Sequence, residues 1–434
     1  MAAMPSPRSR RLLRRGLVVV AVLAVVVGGP AAYVVLTAPG NVSHPNVSFS
    51  APTTSKRPAS QPVDNFQWPV YGYDLARTRY FSAAIAPHFR TGWKYEDYVL
   101  VELPPVIYGT TLYFIDNYGS AKALDARSGR KLWEAKVGTL AASSPAIDVK
   151  DQLVIVVLLS TNSGAEHSQV PGNGRVVALS MRSGQVVWSH PVPAGSESSP
   201  LVWNSTVYFG DQDGTVSALR ANNGSTVWTY HASGAVKGGP SLAGGTLYFG
   251  DYAGRAYALN ARTGAKVWAV STSGASFGFG SGGFYSSPAI AFGRVYMGNT
   301  DHFVYSFSAR TGQLAWRTGT GGYVYSSPAV ENTPGLGPTV YIGSYDGTLY
   351  ALDARSGTTR WTHNSGGAID GSPQIIGRVV YFSDLRTKAT TGVDARTGAT
   401  VFSFPDGRFN PGVSDGHTVY MVGYSMIYQM IPGR

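Results

Sequence analysis

Eight positions of the sequence share one feature: each lies three residues before a proline that opens a short apolar run. In order they are Glu102, Ala142, Glu197, Lys237, Tyr285, Tyr325, Asp370 and Arg408. Three acids, two cations and two tyrosines gathered around one axis are able to bind a polar ligand. They are also able to pair among themselves as a hydrated plug, because buried charges are costly unless compensated. Taken as a ring, the order sets Lys237 opposite Arg408 and Glu197 opposite Asp370. Other chemistry is thinly represented. The eight histidines show no metal-ligand spacing. The Gly-rich run Ser271–Gly283 does not lead from a strand into a helix, so it is no phosphate cradle. Asp211-Gln212-Asp213-Gly214 begins like a calcium loop, but the later glutamate is missing and the stretch reads as a β-turn. The chain has no cysteine, which excludes disulfides, thiolate catalysis, cysteine-ligated zinc and a lipid-modified cysteine.

A repeat must position these residues. Ala123-Leu124-Asp125-Ala126-Arg127-Ser128-Gly129 runs on to Trp133, and Ala351 to Gly357 repeats it almost letter for letter before Trp361. The repeat glycines are Gly129, Gly184, Gly224, Gly264, Gly312, Gly357 and Gly398, spaced 40 to 55 residues apart. Four residues after each stands Trp133, Trp188, Trp228, Trp268, Trp316, Trp361 or Phe402. With 53 glycines and 26 tyrosines and only 14% charged residues, the composition suits short strands and tight turns. A period near 40 to 45 with four strands per unit predicts a propeller blade. The glycine fits a hairpin position with positive φ, and the tryptophan is a wedge between blades. Burying one tryptophan is worth about 4–6 kcal/mol gross.

A second spacing completes the count. Each strand-opening proline follows a repeat tryptophan by 12 residues in most units, and Trp93 stands 12 residues before Pro105. Trp93 is therefore a repeat tryptophan whose own blade is missing upstream, while the C-terminus supplies three strands and stops. The expectation is an all-β, eight-bladed propeller of four-stranded antiparallel blades, its eighth blade closed by the N- and C-terminal strands, which leaves no exposed sheet edge. Two insertions break the regularity, at Ser160–Gly174 and Ala269–Ser287. Both fall in loops on one face of such a ring. The aromatic Phe277, Phe279, Phe284 and Tyr285 in the second are the expected anchors for a partner.

The N-terminus carries a different signal. Residues 1–15 form a basic segment with five arginines and no acid. Residues 16–37 are uncharged and, as a helix, span about 33 Å, enough for a hydrocarbon core of about 30 Å. The arginines fit the positive-inside rule. The expectation is a single-pass signal-anchor in the cell membrane, a Pro/Ser/Asn-rich linker over 38–65, and the propeller over 66–434 outside the cytoplasm. The net charge is +11, but five of those charges sit before residue 16. No clustered basic face remains for nucleic acid.

The tryptophan-bearing repeat resembles that of the PQQ-type propellers, the quinoprotein alcohol dehydrogenase-like superfamily. The leading segment Trp68-Pro69-Val70-Tyr71-Gly72-Tyr73-Asp74 with Thr78-Arg79-Tyr80 resembles the start of those dehydrogenases. The resemblance implies one of two functions. The first is a non-catalytic binding or scaffold propeller, similar to the BamB-like outer-membrane assembly factors, with an envelope protein, peptide or polymer as partner on the insertion-bearing face. The second is a dehydrogenase of alcohols or sugars that uses PQQ and calcium. Glu197, Asn299 and Asp301 are of the types that the resemblance implies for the calcium site. The non-catalytic reading is the expectation, because no catalytic constellation matches position by position.

Overall fold

Short alternating strands, each too small to bury its apolar face alone, stack here as eight antiparallel sheets. The structure is a computed structural model that describes residues 40–51, 67–161, 174–192, 194–272 and 282–433. The expected signal-anchor helix, and residues Phe277 and Phe279, lie outside the described residues. Blade 1 is Val106–Tyr108, Thr111–Ile115, Ser120–Asp125 and Lys131–Lys136. Blade 2 is Ala146–Asp148, Leu153–Leu158, Gly174–Ser180 and Val186–Val192. Blades 3 to 7 repeat the pattern of strands A to D, with A innermost, starting at Leu201, Ser241, Ala289, Ala329 and Gln374. Blade 8 pairs Gly412–Ser414, Val419–Val422 and Met426–Pro432 with Phe89–Glu96 from the other end of the chain. The expected closure holds.

The blade joints follow from the repeat. Each tryptophan on the outer strand of one blade lies against the repeat glycine of the next, whose φ is +71° to +77°. A Cβ at Gly264 would come within 2.8 Å of the Trp228 ring, so side-chain space and backbone conformation both select glycine there. The indole N–H donates across the joint to a turn carbonyl, as in Trp228 Nε1 to Ala261 O at 2.9 Å. Trp93, Trp133, Trp188, Trp268, Trp316 and Trp361 repeat this bond at 2.7–3.2 Å. Phe402 is the exception, and topology explains it. The joint from blade 7 to blade 8 has no C–D turn to dock on, because strands C and D of blade 8, Met426–Pro432 and Phe89–Glu96, are not joined by a hairpin. Without a turn carbonyl to meet an indole N–H, a phenyl ring serves, and Phe402 packs edge-on against Phe89 at 5.4 Å.

The leading segment does more than precede the ring; it lines the inside. Gln67–Trp68 pairs with the inner strand of blade 1, and Tyr80–Phe81 pairs parallel with that of blade 7. Between them, successive carbonyls accept one N–H from each inner strand they pass: Pro69 O from Ile147, Leu75 O from Leu242, Ala76 O from Ile290 and Thr78 O from Val330. Blade 3 is served by the buried Arg77, which donates to the Ser199 and Pro240 carbonyls at 2.8 and 2.7 Å. Inner-strand donors that would otherwise face a channel are thereby satisfied. Part of the expected linker is also docked. Val42–Ser43 adds a fifth strand to the outer edge of blade 5. Arg294 and Arg355 donate to the Ser48 and Pro45 carbonyls at 2.9 and 3.2 Å.

Candidate functional site

The linkers from strand D of one blade to strand A of the next place the eight repeated positions on one face. A belt of side chains fixes those linkers. The Ser144 amide donates to Ser199 Oγ, Gly239 to Ser287, Ser287 to Ser327 and Ser327 to Ser372, each at 2.9–3.0 Å. The Ser372 amide then donates to Asn410 Oδ1 at 3.2 Å. Sequence reasoning passed over this belt, although the tripeptide Ser-Ser-Pro at 143, 198, 286 and 326 is its visible signal.

Above the belt lies a cavity of about 60 Å³, room for a few waters or a compact head group. Glu102, Ala142, Glu197, Lys237, Tyr285, Tyr325 and Asp370 all line it, with Tyr71 of the leading segment. Arg408 does not. Its guanidinium lies 5.0 Å over the Tyr424 ring instead, where a half-exposed aromatic stabilises it without full desolvation. Within the set one ion pair forms, between neighbours. Lys237 Nζ contacts Glu197 Oε1 of the adjacent linker at 3.1 Å, because a neighbour at bonding distance outweighs a charge across the channel. Glu197 also accepts from Gln212 Nε2 at 2.9 Å and from the Tyr285 hydroxyl at 3.0 Å. The Lys237 ammonium sits 5.0 Å over the Tyr252 ring and 5.9 Å from that of Tyr285.

The opposite side is less compensated. Asn117 Nδ2 approaches Glu102 Oε2 at 3.4 Å, and the nearby Tyr345 hydroxyl partly opposes the rise of the Asp370 carboxyl. Burial, and then the charges of Glu197 and Asp370, push Glu102 up to about 7. Burial likewise raises Asp370 and holds the Tyr285 hydroxyl well above its ordinary range. Tyr325 bridges the two sides, with its ring 5.3 Å from Tyr285 and 5.0 Å from Tyr345, both edge-on.

Two groups of expected site residues fare differently. Phe284 is fully buried, packed 5.9 Å from Tyr305 between blades 4 and 5. It is core rather than a partner anchor, because Gly250 opens a space in blade 4 that its ring fills. Tyr285 faces the cavity, as above. The residues suggested for calcium are engaged elsewhere. Asn299 Oδ1 accepts the Asp301 amide at 2.9 Å, and Asp301 accepts from the Phe303 amide and the Tyr305 hydroxyl at 3.1 and 2.6 Å. The Asn299 and Asp301 side-chain oxygens thus accept from donors of their own turn and of the strand after it, while Glu197 already holds an ammonium. Among the described residues no cluster of three or more His, Asp or Glu side chains is arranged to hold a metal. These donors do not fit calcium. The same face carries a rim of exposed tyrosines that the sequence did not single out: Tyr98, Tyr118, Tyr323, Tyr345 and Tyr424. All five lie in B–C or D–A loops.

Comparison with known proteins agrees with this architecture. The family described as outer membrane protein assembly factor BamB matches residues 90–230 and 301–423, more than half of the chain. The solved structure of BamB from Moraxella catarrhalis superposes with a TM-score of 0.62 at 17% identity, covering 79% of this chain and 97% of that one. Quinohemoprotein alcohol dehydrogenase from Comamonas testosteroni superposes with a TM-score of 0.67 at 15% identity, covering 86% and 81%. The sequence of that enzyme is 26% identical over 158 residues, which are 33% of this chain and 22% of the enzyme. At these identities the solved structures speak for the fold alone. The eight blades, seven of them docked by tryptophan, and the extent of the family match together place this chain in the BamB family of PQQ-like β-propellers.

Proposed function

We propose that this protein is a non-catalytic binding propeller of the cell envelope. The segment 16–37 holds it at the membrane, and the ring stands outside the cytoplasm. The observation that carries the reading is Glu197. A calcium-bearing PQQ site would need its carboxylates free to face a divalent cation. Here Lys237 supplies the positive charge from within the chain, at 3.1 Å, and Asn299 and Asp301 accept from their own turn and the strand after it. Family membership, and the tyrosine rim on the mouth face, support recognition of a partner by that face. The uncharged run at 16–37 behind five arginines supports the anchor.

The test is reconstitution. The purified chain is incubated with PQQ and calcium, desalted, and assayed for quinone absorbance and for dye reduction with primary alcohols and glucose. The expected result is no retained quinone and no turnover. Stoichiometric uptake with turnover would replace this reading with the dehydrogenase one. Fractionation and protease treatment of intact cells test the placement; a soluble or protease-protected ring would overturn it.

A further inference from the structure

The two sides of the mouth are built from the same parts. On one side a linker carboxylate, Glu197, a linker tyrosine, Tyr285, and a B–C-turn tyrosine, Tyr252, surround an ammonium, that of Lys237. On the other a linker carboxylate, Asp370, a linker tyrosine, Tyr325, and a B–C-turn tyrosine, Tyr345, form the same arrangement. Glu102 adds a second carboxylate to this side. Among the described residues no lysine, arginine or histidine is ion-paired with Asp370 or Glu102. The mouth therefore holds three carboxylates against one ammonium.

We propose that the side formed by Glu102, Asp370, Tyr325 and Tyr345 binds the ammonium of an aminoalkyl chain, such as a lysine side chain of the partner. Carboxylates supply the charge, and tyrosine faces supply the quadrupole that attracts a cation. Lys237 shows the same atoms performing this task for an internal ammonium. The cavity has room for a few waters, so a slim aminoalkyl chain enters it more readily than a sugar ring. Tyr345, 37% exposed at the rim, leaves the side reachable from solvent. Burial holds Glu102 and Asp370 above their ordinary ranges, and at Glu102 the charges of Glu197 and Asp370 add to it, a penalty that a bound cation relieves. The proposal rests on reading the chain as a binding propeller, and names what that face recognises.

The experiment is calorimetric titration of the full chain with cadaverine at fixed ionic strength, beside 1,5-pentanediol, glutarate and glucosamine. Saturable binding is expected for cadaverine alone. Asp370→Asn and Glu102→Gln each weaken it tenfold or more, while Arg408→Ala, outside the cavity, changes it less than twofold. A folding defect is separated by a second variant. Lys237→Ala removes the internal ammonium, and n-butylamine should raise its melting temperature while leaving the wild type's nearly unchanged. Absence of saturable cadaverine binding, equal binding by Asp370→Asn, or equal binding of glucosamine overturns the proposal. So does failure of the amine to rescue Lys237→Ala. None of these results bears on whether PQQ is taken up, so this proposal and the binding-propeller reading fail separately.

Discussion

Seven of the eight blade joints and the one that differs show what the repeat is for. At the joint between blades 3 and 4, Trp228 meets a glycine turn, donates to a turn carbonyl and packs at a tilt beside Tyr208 at 5.9 Å. At the joint between blades 7 and 8 the turn is absent, and Phe402 relies on ring packing with Phe89 and Tyr381. The next joint, from blade 8 to blade 1, carries Trp93 and also a buried ionic clip: Lys122 contacts Asp97 and Asp116, each at 2.5 Å. The blade made from both chain ends is thus tied by a device that the continuous blades do not need. A covalent C–D hairpin keeps strands together in blades 1 to 7, and blade 8 substitutes side-chain contacts for that connection.

The largest effect tests the clip. Lys122→Ala leaves two buried carboxylates without their cation, and should lower unfolding free energy by about 3–5 kcal/mol in denaturant titrations. Trp228→Ala should cost a similar 3–5 kcal/mol from lost volume and burial. Phe402→Ala should cost visibly less, because its ring is already partly exposed. Equal losses at the two positions would erase the distinction between docked and closing joints. A finer probe exchanges the rings. Trp228→Phe loses the bond to Ala261 and should cost about 1 kcal/mol beyond its volume change, whereas Phe402→Trp finds no turn carbonyl and should give no gain.

The smallest effect is a pH dependence within blade 6. Glu331 is buried, and burial pushes its carboxyl up to about 7 against the ordinary 4.5, the Thr333 hydroxyl opposing in part. Between those values the folded chain retains a proton that the unfolded chain has released. Stability should therefore fall as pH rises from about 4.5 to about 7. Glu331→Gln should flatten this slope in melting curves taken across that range. An unchanged slope would mean that other groups carry it; Glu102, pushed up to about 7 at the mouth, is the first to examine by Glu102→Gln.

How much could be read beforehand divides along physical lines. The tryptophan and glycine spacing located every blade and the split eighth one, because each repeat is a local unit whose burial needs recur at a fixed interval. The proline ruler located the mouth, since a linker residue at a constant offset occupies a constant place on the ring. It did not tell where a side chain on that linker would turn. Lys237 reaches sideways to Glu197, and Arg408 folds out over Tyr424. Phe284, placed by sequence in an insertion, fills a space opened by Gly250 from another blade.

The sequence alone determined the periodic part of this protein: strand alternation, turn chemistry, blade number and the ring of polar linker positions. Those are set by nearest neighbours along the chain and by a repeated interval. Tertiary structure decided the rest. It threaded residues 67–81 past the inner strands, docked Val42–Ser43 on blade 5, and left one side of the mouth with its own ammonium and the other without. The reason is that each of these depends on contacts between residues far apart in sequence, where charge, volume and unpaired backbone donors meet only once the ring has closed.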